Sequence, residues 1–268
     1  MRRLLSALAV FLYFLCSVPS SDATEVYQAH QKYPLHTACA LGNAARVKEL
    51  LAAGMAPDEA DEWGRTPLLY AILAPLKAPL SSHLKVLELL ARAGVELNPD
   101  PGPGISLLPP LHATLVQGER FADLTWALLR LGASPNLEAN GTRPLQLAAE
   151  ENASALQMRL LLDAGADVAL RDPKGQNALA VLLSSSNPSV EKARLLLDAG
   201  ADPNETIPAC TGRKSTTPLI LAARNAASEL VQLLLSRGAL LCLSDPDGLT
   251  AFDHAKAVGR EDVAALLR

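Results

Sequence analysis

One short signature, Pro-Leu-x-x-Ala, recurs along this chain of 268 residues and constrains its fold more than any other feature. Seven copies, several of them degenerate, begin at positions 34, 67, 110, 144, 178, 218 and 251. Their spacing of 33 to 43 residues is typical of arrays built from helical repeats. A proline at the first position of a helix sacrifices no hydrogen bond, so each copy predicts a helix start.

A glycine follows the second predicted helix of each unit except the last. These glycines suit the left-handed residue that ends many helices, and they are Gly54, Gly94, Gly132, Gly165, Gly200 and Gly238. An Asp-x-x-Gly turn then follows at residues 61–64, 172–175 and 245–248. Each unit is therefore a turn, which we call a finger, followed by two helices. The abundance of Leu and Ala with only 4% aromatic residues favours closely packed helices over sheets.

Two segments carry the resemblance to a known family. Thr66-Pro67-Leu68 and Gly200-Ala201-Asp202-Pro203-Asn204 are similar to the hallmarks of ankyrin repeats, and the resemblance covers about residues 30 to 268. It implies an all-α repeat solenoid, each unit a β-turn finger plus an antiparallel helix pair, with about six full repeats and a C-terminal cap. We assign the repeat domain to residues 33–268, with repeats at approximately 33–61, 62–98, 99–137, 138–170, 171–204, 205–243 and 244–268.

The first residues differ from the rest of the chain. Arg2 and Arg3 precede an apolar run from Leu4 to Val18, which small residues follow. This pattern predicts a signal peptide at residues 1–23, cleaved between Ser20 and Ala23, and a lead-in at 24–32. The run is short for a membrane span, so a retained anchor is the weaker alternative. We expect a periplasmic or secreted protein with no membrane association after signal removal.

The spacing of the repeats is irregular in three places. Repeat two has 27 residues between its helix-starting proline and its glycine, against 20 to 22 in the others. The extra residues lie near Ala74 to Ser82, where two prolines forbid one continuous helix. The fingers before repeats three and six are also lengthened, at residues 98–104 and 205–214. Such loops carry binding function or reflect tolerated drift, and the spacing does not decide between them.

Ankyrin arrays typically bind proteins with their fingertips and the exposed face of the first helix, and the resemblance extends that role to matching positions here. Trp63 and Arg65 are the strongest candidates, because Trp and Arg are frequent interface anchors. The candidate partner-binding residues are Glu62, Trp63, Arg65, Tyr70, Glu150, Glu151, Lys174, Gln176, Arg224 and Asn225. His36 and His112, at the family's Thr-Pro-Leu-His position, are expected to bond to the backbone of a neighbouring finger. Trp126 is expected to pack under the neighbouring insertion.

Chemistry-bearing motifs are sparse. The five histidines form no His-Glu-x-x-His motif, the cysteines show no zinc spacing, and no glycine-rich phosphate loop follows a strand. We therefore expect no catalytic residues, no metal and no cofactor, and predict that the chain is not an enzyme. A net charge of −4 without a basic run argues against nucleic acid. Cys210 and Cys242 lie in loops of neighbouring repeats, where a disulfide and two reduced thiols both remain open.

The sequence thus favours an exported, monomeric array that binds a protein partner. The resemblance to secreted bacterial ankyrin proteins implies two roles, support of a periplasmic enzyme or neutralisation of a toxin by an immunity protein. A secreted effector acting on host proteins is one alternative. An enzyme with an unrecognised site is another, because a catalytic triad assembles in space rather than along the chain.

Overall fold

The computed structural model describes residues 32–73, 79–99, 108–150, 152–207, 215–225 and 227–268. The predicted signal peptide, the lead-in up to residue 31, Glu151 and Cys210 lie outside these ranges, as do most of the insertion and both lengthened fingertips. Within them, helices alternate with loops, and strand-like pairing is limited to three isolated bridges. The prediction of a helical repeat fold with β-turn fingers is confirmed.

The chain divides into two compact units, the first of which comprises the described residues up to Thr114 together with Asp123–Ser134. Its helices are α1 (Pro34–Ala40), α2 (Ala44–Ala52), α3 (Pro67–Leu73), α4 (Leu80–Arg92) and most of α5 (Pro110–Val116) and α6 (Ala122–Leu131). First helices pack on first helices and second on second, α1 on α3 and α2 on α4. Because α4 begins at Leu80, the last residues assigned to the insertion, 80–82, belong to this helix.

The second unit comprises Leu115–Ala122 and Pro135–Arg268. After a 3₁₀ turn (Glu119–Phe121), its helices are α7 (Pro144–Ala149), α8 (Ala155–Asp163), α9 (Ala178–Leu183), α10 (Val190–Asp198), α11 (Pro218–Asn225), α12 (Ser228–Ser236), α13 (Ala251–Ala257) and α14 (Glu261–Leu266). The first helices α7, α9, α11 and α13 pack in sequence, and the second helices α8, α10, α12 and α14 form a parallel layer.

Helix starts follow the local sequence closely. Pro144 occupies the first turn of α7, as the signature predicts. Repeat five lacks this proline, and there the Asn177 side chain accepts a hydrogen bond from the amide of Ala180 at 2.9 Å. A side-chain cap thus satisfies one of the free amides that begin α9. At the other end of a helix pair, Gly165 has φ +87° with open space around it, so backbone conformation rather than packing selects glycine.

The core lies between the two helix layers of each unit. The leucine four residues before each helix-ending glycine is buried, at 0 to 8% exposure; these residues are Leu50, Leu90, Leu128, Leu161, Leu196 and Leu234. The leucines adjacent to three of them, Leu51, Leu89 and Leu129, are only partly buried. Successive residues on a helix point about 100° apart, so one residue of each Leu-Leu pair flanks the buried face.

A recurring asparagine ties one repeat to the next. Asn98, Asn136 and Asn204 each follow a helix-ending glycine by four residues. Each Nδ2 donates to the carbonyl of the next such glycine, at 3.2, 3.2 and 2.9 Å. Each Oδ1 accepts from the amide two residues beyond it, at 2.7, 2.9 and 2.8 Å. Ala169 occupies this position at the end of repeat four, where its methyl group can make neither bond.

Candidate protein-binding surface

The finger of repeat two, residues 61–66, is built around a buried aspartate. Asp61 Oδ1 accepts hydrogen bonds from the backbone amides of Trp63 at 2.9 Å and Arg65 at 2.8 Å. Asp172 and Asp245 make the same pair of bonds in their own fingers. An aspartate that satisfies two amides of its own turn fixes the turn's conformation. The Asp-x-x-Gly pattern therefore gives these three fingers a common backbone.

Arg65 makes this finger, which we call finger two, different from the other two. Its Nε lies 2.8 Å from Asp61 Oδ2, in an ion pair whose Asp61 side chain is fully buried. Its guanidinium carbon lies 4.5 Å from the centre of the Trp63 ring and 4.8 Å from that of Tyr70. Both distances are within the range of a cation–π interaction. The guanidinium is thus held by one carboxylate and two aromatic rings.

Repeat one supports finger two from behind. His36 Nε2 lies 3.1 Å from the carbonyl oxygen of Arg65, so the expected bond from His36 to finger backbone is confirmed. Its ring packs edge-on against Tyr70 and Tyr33, at centroid distances of 5.2 and 5.3 Å. The hydroxyl of Tyr70 donates to Asp61 Oδ2 at 2.8 Å. His112, the other histidine of this type, is fully buried in α5.

These contacts set the ionisation of the cluster. Burial opposes the charge of Asp61, but the amide of Arg65, the hydroxyl of Tyr70 and the guanidinium together hold its pKa below the ordinary value. Burial and the bond to Asp61 raise the pKa of Tyr70. Burial lowers the pKa of His36, against the opposing effects of finger carbonyls and of Asp61. At neutral pH, the ion pair of Asp61 and Arg65 therefore lies beside a neutral phenol, Tyr70, and a neutral imidazole, His36.

The outer part of finger two is exposed. Trp63 is 51% exposed although one face of its indole covers Arg65. Glu62 lies beside it in a surface ion pair with Lys32 at 3.0 Å. Trp126 on α6 is 45% exposed, with the guanidinium of Arg130 centred 5.0 Å from its ring. Its predicted cover, the tip of the insertion, lies outside the described residues. Both tryptophans therefore present apolar surface.

Three other candidate residues lie in the second unit around repeats four and five. Glu150 ends α7, and the amine of Lys192 donates to its backbone carbonyl. Burial raises the pKa of Glu150, while the charges of Lys174 and Lys192 act in the opposite direction. Lys174 is exposed, whereas Gln176 is partly buried and its carbonyl accepts from Gln146 at 2.7 Å. The charge of Lys174 thus acts on the Glu150 carboxylate, whereas Gln176 mainly stabilises the packing between neighbouring repeats.

The remaining candidates are more isolated. Arg224 and Asn225 are exposed at the end of α11. Glu151 and Cys210 fall outside the described residues, so the Cys210–Cys242 pair stays a prediction, and Cys242 is exposed.

The contacts of two residues, Asp61 and Lys192, are not predicted from the sequence. Asp61 was recognised as a turn residue but not as the partner of both Arg65 and Tyr70. Lys192, buried at 6% exposure, makes its contact 42 residues away along the chain. The Asp61 contacts could have been suspected from a basic residue directly after the turn glycine. No local sequence pattern predicts the contact of Lys192 with the Glu150 carbonyl.

One open cavity of about 230 Å³ lies beside the fingers of repeats six and seven. Its lining is Thr206, Ser215, Thr216, Thr217, Ser244, Asp245 and Pro246. Its ionisable residue, Asp245, is bonded to His254 at 2.9 Å.

Within the ranges described above, no three His, Cys, Asp or Glu side chains come together as a metal site. Of the helices in those same ranges, none is both long enough and apolar enough to span a bilayer.

Paired helices that stack in layers, joined by ordered fingers, define the chain as a helical-repeat protein. Family models described as "Ankyrin repeats (3 copies)" match residues 7–100 and 111–207, and one described as "Ankyrin repeats (many copies)" matches 208–255. The chain belongs to the ankyrin repeat family, whose members generally mediate protein–protein interactions and are typically not enzymes.

A solved structure shows the same fold. The crystal structure of the human ASB11 ankyrin repeat domain matches with a TM-score of 0.64 and 24% sequence identity, over 88% of this chain and 97% of that one. At this identity the likeness concerns the fold alone. A search of curated proteins found no match.

Proposed function

We propose that this chain binds a protein partner through finger two, with the indole of Trp63 as the central contact. The observation that carries the proposal is the combination of exposure and restraint at this residue. Trp63 is half exposed, yet the Arg65 guanidinium beneath it is fixed by Asp61 and Tyr70. Repeat one holds the same finger through His36.

Restraint matters because binding normally orders side chains at a cost. Immobilising a flexible interface side chain costs about 0.5–1.5 kcal/mol. The side chains of finger two are already ordered in the unbound protein, so much of this cost does not fall on binding. A tryptophan at the centre of an interface often contributes about 2 kcal/mol or more. Within the second unit, we assign separate partner contacts to Glu150, Lys174, Arg224 and Asn225.

We also infer that the protein is exported, to the periplasm or the medium. Support comes from the basic start and short apolar run of residues 1–23. In the periplasm, its partner would be a protein of the cell envelope, either an enzyme that the array supports or a toxin that it neutralises. Both roles use the same interaction surface, so the identity of the captured partner separates them.

The test is quantitative affinity capture with tagged residues 24–268 as bait in an envelope extract. The variants are Trp63→Ala and, as a matched control, Trp126→Ala, which removes a tryptophan of similar exposure from a second helix. We expect Trp63→Ala to reduce recovery of the specific partner at least tenfold, which corresponds to about 1.4 kcal/mol. Thermal unfolding should change little, because the deleted indole is half exposed.

Recovery that is unchanged by Trp63→Ala would remove finger two from the binding surface. A larger loss with Trp126→Ala would place the contact on the second-helix side instead. Absence of any protein captured above the level of an untagged control would count against an envelope partner altogether.

A further inference from the structure

The Arg65 guanidinium has donors that its bond to Asp61 does not use, and part of the side chain is exposed. A guanidinium carries five N–H donors in a planar fork, one on Nε and four on the two Nη atoms. The hydrogen bond described for this side chain uses Nε, directed at Asp61 Oδ2. The Arg65 side chain keeps 20% of its surface exposed. Because Nε is directed at the buried Asp61, a partner that contacts the exposed part of the side chain would bind the Nη groups.

The edge formed by these Nη groups is held in a fixed orientation. The Trp63 and Tyr70 rings lie within 5 Å of the guanidinium carbon, at 4.5 and 4.8 Å, and Asp61 fixes its rotation. A free arginine loses side-chain entropy when it is ordered. Arg65 has lost most of that freedom in the unbound protein. A planar acceptor placed against the Nη edge would therefore gain charge-assisted hydrogen bonds at little ordering cost.

We propose that finger two recognises a carboxylate of the partner protein, from an Asp or Glu residue with an apolar neighbour. The Nη edge of Arg65 binds the carboxylate, and the exposed indole of Trp63 covers the apolar neighbour. The proposal rests on the protein-binding function proposed above and specifies the chemistry of the partner at that site.

The neighbouring ion pairs keep a basic group away from Asp61 and leave no unbalanced negative charge on finger two to repel an acidic group. The Asp61 side chain is fully buried and accepts bonds from Trp63, Arg65 and Tyr70, so a basic group of the partner cannot reach it. Glu62 is paired with Lys32. Both partners of this pair are about half exposed, and Lys32 offsets the charge of Glu62. The guanidinium of Arg65 is then the cation within finger two that an acidic group of the partner would contact. Because the whole chain has a net charge of −4, the selection is short-range rather than the result of long-range attraction.

The probe is a library of random 12-residue peptides displayed on phage, selected on purified residues 24–268. We expect enriched peptides to carry Asp or Glu next to an aliphatic or aromatic residue. A synthetic peptide of the enriched sequence is then compared with its Glu→Gln or Asp→Asn version by isothermal titration calorimetry. The amide version should bind wild-type protein at least tenfold more weakly. This comparison alters only the peptide, so it does not depend on the folding of a variant.

The second arm uses Arg65→Lys, which keeps the charge but lacks the planar fork. On this variant the carboxylate and amide peptides should differ in affinity by much less than on the wild type. Enriched peptides without an acidic residue, or an equal carboxylate effect on wild type and Arg65→Lys, would overturn the inference and leave the protein-binding function intact. Peptides whose binding is unaffected by Trp63→Ala would contradict both.

Discussion

The asparagine ties between repeats lead to a prediction of stabilisation, because one of them is missing. Ala169 stands where Asn98, Asn136 and Asn204 stand in other repeats, four residues after a helix-ending glycine. The local backbone is comparable: the amide of Ala169 bonds to Asp167 at 2.9 Å, and that of Asn204 bonds to Asp202 at 2.8 Å. An asparagine at position 169 should therefore reach the carbonyl of Gly200 and the amide of Asp202.

The expected gain follows from the existing ties. The Asn204 tie has bonds of 2.9 and 2.8 Å, to the Gly238 carbonyl and the Leu240 amide. A hydrogen bond contributes about 0.5–1.5 kcal/mol net, so two contribute about 1–3 kcal/mol. Ordering the new side chain takes back part of this gain. We expect Ala169→Asn to stabilise the chain by about 1–2 kcal/mol, and Asn204→Ala to destabilise it by about the same amount.

The assay is urea unfolding of residues 24–268, followed by far-UV circular dichroism. Ala169→Asn should raise the midpoint at an unchanged slope, since an altered slope would signal loss of cooperativity between repeats. Ala169→Gln is the matched control, because it brings the same amide on a side chain one methylene too long. Equal effects of Asn and Gln, or a neutral Ala169→Asn beside a destabilising Asn204→Ala, would refute the geometric reasoning.

Two further predictions concern pH and localisation. Burial lowers the pKa of His36 below its ordinary 6.5, so the unfolded chain binds a proton at this residue more readily than the folded chain. The free energy of unfolding should therefore be highest above about pH 6.5 and fall as the pH drops below that value. Urea midpoints at pH 7 and pH 5.5 should show this fall in the wild type and less of it in His36→Gln, and an identical fall in both would exclude His36 as its source. Fractionation of the native cell should recover protein lacking residues 1–23 from the periplasm or the medium, and uncleaved protein confined to the cytosol would contradict export.

The fold could be predicted because its determinants are local and repeated. A proline start, a glycine stop and a leucine four residues before that glycine recur in successive units, so one unit confirms the next. Leu161 and Leu196 are buried, while Leu51 in repeat one is only partly buried and lies at the flank of the corresponding face. That difference depends on helix rotation, which a doubled leucine does not define. Even the missing proline of repeat five is explained locally, by the cap from Asn177.

The candidate site was less accessible to prediction, because its side chains act across turns and between repeats. Exposure of Trp63 follows from its place at the tip of a turn. The restraint of Arg65 depends on Tyr70, which lies nine residues from Asp61, and on His36 from the preceding repeat. At the equivalent place in repeat seven, His254 bonds Asp245, so the position selects a donor rather than a particular residue. Periodicity does not reveal such a choice.

The same restraint determines which substitution reports on binding. Arg65→Ala would remove the guanidinium from a buried carboxylate, and leaving a buried charge without its counter-ion is destabilising. The amides of Trp63 and Arg65 and the hydroxyl of Tyr70 would still bond to Asp61, so the turn should persist in a weaker form. A loss of binding in Arg65→Ala would therefore mix a lost contact with a loosened finger. Trp63→Ala leaves every hydrogen bond of Asp61 in place. A loss of binding in this variant therefore reports the lost indole contact rather than a weakened turn.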